Sequence, residues 1–226
     1  MKTIGMVVAL EKEILPLLEK LDVKIKRKST GNFSVTEFSA ANKRIIAVNS
    51  GVGEIRAAAA TQYLITAYSP DVIINFGVCG SLLSGLGLKT VVLVGGVVHY
   101  DFDTSAIDGT EIGRYLEYPT AVVKTDEHLL KKASEIIPDA KSVICASGDK
   151  FIADAEKKRY LAATFGASVC DMESAGVLLT ADANGVPVLM VKAVSDGEGG
   201  ASDYVTTVRE ATKRYVDFLV KFAECV

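Results

Sequence analysis

Four acidic residues stand just beyond apolar, strand-like runs. Glu13 follows "GMVVAL", Asp149 closes "VICASGD", Glu173 sits in "VCDMES", and Asp196 ends "VLMVKAVSD". Taken singly, each reads first as a helix cap or a solvated turn residue, and Asp149 and Asp196 fit that role well. Together they offer what acid–base cleavage of a glycosidic bond needs. One carboxyl must keep a proton near neutral pH to give to the leaving group, while another must be ionised to take a proton from water or to hold sugar hydroxyls. Ligands of α/β sheets bind beyond the carboxyl ends of the strands, which is where these residues fall.

Other chemistries find less support. His99 and His128 are the only histidines and are far apart, so a histidine metal site or a Ser-His-Asp triad is not expected. Cys79, Cys145 and Cys170 lie in apolar runs without CxxC spacing and read as reduced core thiols. "GVGEIR" has Arg56 where a dinucleotide fingerprint needs its third glycine, and "GVCGSLLSGLG" lacks the GK[ST] of a phosphate loop. No metal or cofactor is expected. A net charge of −3 gives no basic field for nucleic acid or an anionic membrane. No window is long and apolar enough to span a bilayer, and the start "MKTIGMVVALEKEILPLL" does not read as a signal peptide, so the expected address is the cytoplasm.

The elements that must position these acids are legible as alternating patterns. Apolar runs such as "TIGMVVAL", "RIIAVNSG", "DVIINFGVCG" and "TVVLVGGVVHYD" predict strands covered on both faces. Between them, "EKEILPLLEKL" predicts a helix with Pro16 in its first turn, and "TDEHLLKKASEII" one capped by Thr125. "SAGVLLTADANG" is closed by its Asn-Gly, and "ASDYVTTVREATKRYVDFLVKFAECV" predicts one amphipathic C-terminal helix. No linker divides the chain. The expected fold is a single α/β domain over residues 1–226, a three-layer α/β/α arrangement on a large mixed, mostly parallel sheet. The polar segment from Asp101 to Pro119 is too long for a simple connection and reads as a lid, binding loop or interface.

The segments "GMVVALEKEI", "SGVGEIRAA", "PDVIINFGVCGSL", "CASGDKFI", "VCDMESAGV" and "VPVLMVKAVSDG" occur in this order over about 200 residues. In that order they resemble the purine nucleoside phosphorylase/uridine phosphorylase superfamily, most closely its 5'-methylthioadenosine/S-adenosylhomocysteine nucleosidase branch. The resemblance implies a nucleoside phosphorylase-like fold and hydrolysis of purine nucleosides. It implies that Glu173 grips the ribose hydroxyls with Met172 under the sugar, and that Asp196, oriented by Ser195, protonates the purine. Phe151 would lie against the base while the backbone of Ile152 reads its edge, and Glu13 would position water with Lys192 nearby. Asp171 precedes the matched pair and is taken as a structural or solvated acid. Two positions depart from the family: Val78 replaces a usual serine, and Ile107 stands where aromatic residues close a neighbouring subunit's 5'-pocket.

The resemblance further implies a homodimer with a shared active site and a small-molecule nucleoside as substrate. Phe76 occupies the place of a phosphorylase arginine, and Glu13 would repel phosphate, so water is preferred as nucleophile. A phosphorolytic enzyme and a nucleoside-binding protein without turnover are the competing readings.

Overall fold

Strands buried on both faces must be apolar along their whole length, and the centre of the sheet obeys this. The computed structural model describes residues 1–226. The elements run β1 (Thr3–Val8), α1 (Glu11–Leu21), β2 (Lys26–Thr30), β3 (Phe33–Ala40), β4 (Lys43–Asn49), α2 (Glu54–Tyr68), β5 (Val72–Ser81) and β6 (Val91–His99). They continue with α3 (Ser105–Asp108), β7 (Val122–Lys124), α4 (Glu127–Ile136), β8 (Lys141–Ser147), α5 (Ala155–Phe165), β9 (Val169–Asp171) and α6 (Ser174–Ala183). The last three are β10 (Val188–Asp196), α7 (Ala201–Ala211) and α8 (Val216–Cys225). All nine residues of β10 are buried.

The mixed α/β architecture matches the sequence expectation, with a ten-stranded sheet. β4, β1, β5 and β10 form its parallel centre, with β1 Ile4 opposite β5 Val72 and β10 Val188 opposite β5 Ile73. One half curls shut: β10 pairs β6, β6 pairs β8, β8 pairs β9, and β9 returns to the end of β5. Closure removes two sheet edges and gathers the ends of β5, β8, β9 and β10 around one point. The opposite margin is antiparallel, ending in β2, whose five residues are all exposed and include Lys26, Arg27 and Lys28. Such charges discourage pairing with another edge. One apolar cluster joins the sheet to α1, α4 and α8, a second joins it to α2 and α6, and a third packs α5 against the closed half.

Three local expectations need correction. The cap of α4 is Asp126, whose carboxylate accepts the Leu129 N–H at 2.8 Å, while Thr125 donates to the Val94 carbonyl in the interior. Pro16 lies in the second turn of α1, not the first. The C-terminal segment forms two helices rather than one. Thr212 bonds back to the Arg209 carbonyl at 3.0 Å, and the turn after it delivers Tyr215 into the core, edge-to-face with Phe76 at 5.4 Å. The strand β2 was not anticipated, because its polar residues carry no period-2 apolar signal. The long polar segment is organised by stacking, with the rings of Phe102 and Tyr115 3.9 Å apart and His99 beside them.

Helices α2 and α6 touch at Gly176, where an added Cβ would overlap the Glu54 carbonyl oxygen. Gly176→Ala gains helix propensity but overpacks that contact, so a net loss of about 1–2 kcal/mol is expected. A lowered urea midpoint with an unchanged m-value is the signature to look for.

Candidate active site

A cavity of about 340 Å³ opens at the gathered strand ends. Its lining includes nine of the residues that the sequence and the resemblance single out or place beside them: Glu13, Val78, Phe151, Ile152, Asp171, Met172, Glu173, Ser195 and Asp196. The close approach depends on two glycines of β5. A Cβ on Gly77 would stand 2.6 Å from Glu13 Oε1, and one on Gly80 would stand 2.9 Å from Asp196 Oδ2. These glycines are three residues apart, so the two points of β5 that the carboxylates approach lie roughly 10 Å apart along the strand.

Glu13 is brought in by the first turn of α1. It is 4% exposed, and its carboxylate accepts the Leu10 N–H at 2.8 Å and the Val78 N–H at 3.1 Å. Burial raises its pKa, while the Leu10 amide and Lys192 pull the other way. Asp196 is aimed by a bulge: the β10–β5 register shifts between Val194 and Asp196, leaving Ser195 as the extra residue. Ser195 Oγ–H donates to Asp196 Oδ1 at 2.9 Å, and Lys158 Nζ lies 3.4 Å from Oδ2. Burial again raises the pKa, opposed by Ser195 and Lys158. Glu173 precedes α6 and accepts the Gly53 N–H at 3.0 Å. Burial and then Asp171 push it up to about 7, with Lys192 opposing.

The remaining expected positions divide. Phe151 is half-exposed and meets the Tyr204 ring edge-on at 5.8 Å, and Ile152 is buried beside it. Lys192 lies behind the cavity rather than in its lining, 2.8 Å from Asp171 Oδ2. Asp171 is therefore a structural acid and not a solvated one. Burial would raise its pKa, but Lys192 and hydrogen bonds from Lys192, Ser147 and Ser174 hold it below the usual carboxylate value. Asp149 caps α2 by accepting the Glu54 N–H at 2.7 Å, the bland reading of that residue. Ile107 is 89% exposed on α3 and is not part of the cavity of its own chain. Cys79 and Cys170 line the cavity, but burial pushes the Cys170 thiol up to about 12 and the Cys79 thiol well above its ordinary value, so neither supplies a thiolate.

Lys158 and Tyr204 are among the lining or supporting residues that sequence reasoning missed. Lys158 stood on the same helical face as Leu161, a lysine inside an apolar stripe, and that was its signal. Tyr204 lies in a helix with ordinary amphipathic spacing, and only the fold reveals its bond from Lys12 Nζ at 2.8 Å beside the cavity.

The family model described as Phosphorylase superfamily matches residues 3–224. A 5'-methylthioadenosine/S-adenosylhomocysteine nucleosidase of Staphylococcus saprophyticus is 30% identical, covering 96% of this chain and 99% of that protein. Two Helicobacter pylori structures are each 27% identical with a TM-score of 0.94. One is a 5'-methylthioadenosine/S-adenosylhomocysteine nucleosidase with butyl-thio-DADMe-Immucillin-A, covering 100% of this chain and 99% of that chain. The other is a futalosine hydrolase, covering 100% and 98%.

Lys192→Met leaves Asp171 buried without its cation. Breaking one partner of such a pair costs about 3–5 kcal/mol, and equilibrium unfolding of the variant should show a loss of that order.

Proposed function

The chain belongs to the phosphorylase superfamily and, within it, to the 5'-methylthioadenosine/S-adenosylhomocysteine nucleosidases, and on that premise we propose that it hydrolyses the N-glycosidic bond of purine nucleosides. The proposed substrates are 5'-methylthioadenosine and S-adenosylhomocysteine, with adenine as the released base. The observation that carries this reading is the pair of buried carboxyls, Glu13 and Asp196, held at separate points of one cavity with Glu173 in the same lining.

The proposed roles follow from their surroundings. Asp196 is buried with a raised pKa, which favours the protonated form a general acid needs, and Ser195 fixes its orientation. Proton transfer to the purine turns it into a better leaving group as positive charge develops on the sugar. Glu13 uses one lone pair of each oxygen on a backbone N–H and keeps the others for a water molecule. Glu173 is anchored on one oxygen by Gly53 and is proposed to accept from the ribose hydroxyls, over Met172. Phe151 and Ile152 form the proposed base wall.

Water is favoured over phosphate because no arginine lines the cavity and Phe76 is turned into the core against Tyr215. The test is adenine release from methylthioadenosine in phosphate-free buffer. Turnover is expected there, and Asp196→Asn should lower kcat by about 10²–10⁴-fold while nucleoside binding persists. Product only with added phosphate overturns the hydrolytic reading, and an Asp196→Asn variant with more than half the parent rate overturns the role of Asp196.

A homodimer that completes the site is part of the proposal. Its support is a set of large apolar side chains left on the surface: Ile55 at 81%, Ile107 at 89% and Leu116 at 70% exposure. A two-fold pairing would use the same patch on both copies. Sedimentation at micromolar concentration should show twice the 24.0 kDa of one chain. A fully active species at the single-chain mass rules the dimer out.

A further inference from the structure

We infer that Glu54 carries a proton in the working protein and serves as a positioning residue, holding the first turn of α6 and the adjoining Glu173 carboxylate through Ser147 and Asp171. The inference rests on counting hydrogens. Ser147 Oγ lies within hydrogen-bond distance of both Glu54 Oε1 and Asp171 Oδ1, the latter at 2.6 Å, and it also accepts the Ala175 N–H at 3.1 Å. A hydroxyl has one hydrogen and can donate to only one of two carboxylates. The other contact must be a donation from a protonated acid to Ser147.

The neighbours decide which acid that is. Asp171 faces the Lys192 ammonium at 2.8 Å and receives the Ser174 hydroxyl and the Ser174 N–H. Glu54 receives only the Gly176 N–H on its second oxygen, with no cation against it. The chain therefore runs from Glu54 O–H to Ser147 Oγ, and from Ser147 O–H to the Asp171 carboxylate. The direction of the pKa agrees: burial and then Asp171 push Glu54 up to about 8.

This chain caps a helix. The first three N–H groups of α6, on Ser174, Ala175 and Gly176, go to Asp171, Ser147 and Glu54 respectively. Glu173 is the residue before that turn, and its carboxylate is tied to the Gly53 N–H, one residue before Glu54. Loss of the Glu54 proton puts a second buried charge against Asp171 and leaves two oxygens facing each other without a hydrogen. The charged or titratable groups facing Glu54 are Asp171 and Glu173 from the β9–α6 turn and Asp149 after β8. Tyr100 and Tyr115, from the segment after β6, complete the set. None of these is a cation, and the Lys192 ammonium is paired to Asp171.

The activity arm of the test rests on the nucleosidase reading, and the spectroscopic arm does not. Glu54→Ala leaves Ser147 and the Gly176 N–H without their partner, so the KM for a ribonucleoside should rise about tenfold with a smaller change in kcat. Glu54→Gln can donate to Ser147 and accept from Gly176, and should rescue that loss. In the parent, kcat/KM should fall by about tenfold through the pKa of Glu54, in addition to the alkaline loss set by Asp196, and Glu54→Gln should keep only the Asp196 component. In substrate-free protein, infrared difference spectra between neutral and alkaline pH should show a protonated-carboxyl stretch lost by the parent and absent from Glu54→Gln.

Linkage gives a matching sign. The folded state keeps Glu54 neutral while the unfolded chain ionises it, so the parent loses stability relative to Glu54→Gln as pH rises from about 4.5 to about 8. An identical infrared difference in parent and Glu54→Gln overturns the inference, and so does an unchanged alkaline limb. Failure of the parent to release adenine in phosphate-free buffer would instead sink the nucleosidase reading and leave the infrared result to judge Glu54.

Discussion

A lysine ammonium buried to 2% exposure cannot stand alone, and the pairing of Lys192 with Asp171 governs how the strand ends assemble. Lys192 is in the middle of β10, and Asp171 is the last residue of β9, which reaches β10 only because the sheet curls shut. An ion pair in so dry a place adds little net stability, since both charges leave water, but removing either partner is costly. It thus acts as a register pin for the closed half. Ser147 from β8 and Glu54 from α2 fasten to the same carboxylate network, so four elements meet around one ion pair.

The same cation sorts the acids around it. Asp171, in contact, is held low, while Glu54, out of contact, is driven up to about 8, and Glu173, which Lys192 reaches through space, settles at about 7. Three carboxyls within one small volume thereby acquire three different proton affinities, the condition under which identical groups take different tasks. Asp196 stands apart from this set, with its own hydroxyl and its own lysine, Lys158. The upward shift at Asp196 and the downward shift at Asp171 are set separately, because different cations face them.

The glycines of β5 supply the complementary condition, which is space. Side chains at Gly77 or Gly80 would displace Glu13 or Asp196 from the strand end. The bulge at Ser195 then turns Asp196 toward the cavity. The site is made by backbone approach on β5 and by charge on β10, with Glu13 delivered by the first turn of α1 and Glu173 by the residue that precedes α6.

Local pattern was enough for much of this. Continuous Val and Ile runs identify buried strands such as β5 and β10, because a strand covered on both faces has no polar alternation to show. The strand-end acids were legible for the same reason: the place where an apolar run stops is visible in the chain. "VCDMES" and "VKAVSD" carry their chemistry in adjacent residues, so Met172 with Glu173 and Ser195 with Asp196 could be read together. What depends on distant partners could not. Asp171 and Lys192 are each ambiguous alone, and only the closure of β5, β10, β6, β8 and β9 places one against the other. Lys158, Tyr204 and the proton on Glu54 likewise follow from contacts between residues far apart in sequence. The exposure of Ile107 follows from where the chain carries α3. Periodicity reports which face of an element is buried, whereas the identity of the group across the interface, and hence the pKa, is set by tertiary packing alone.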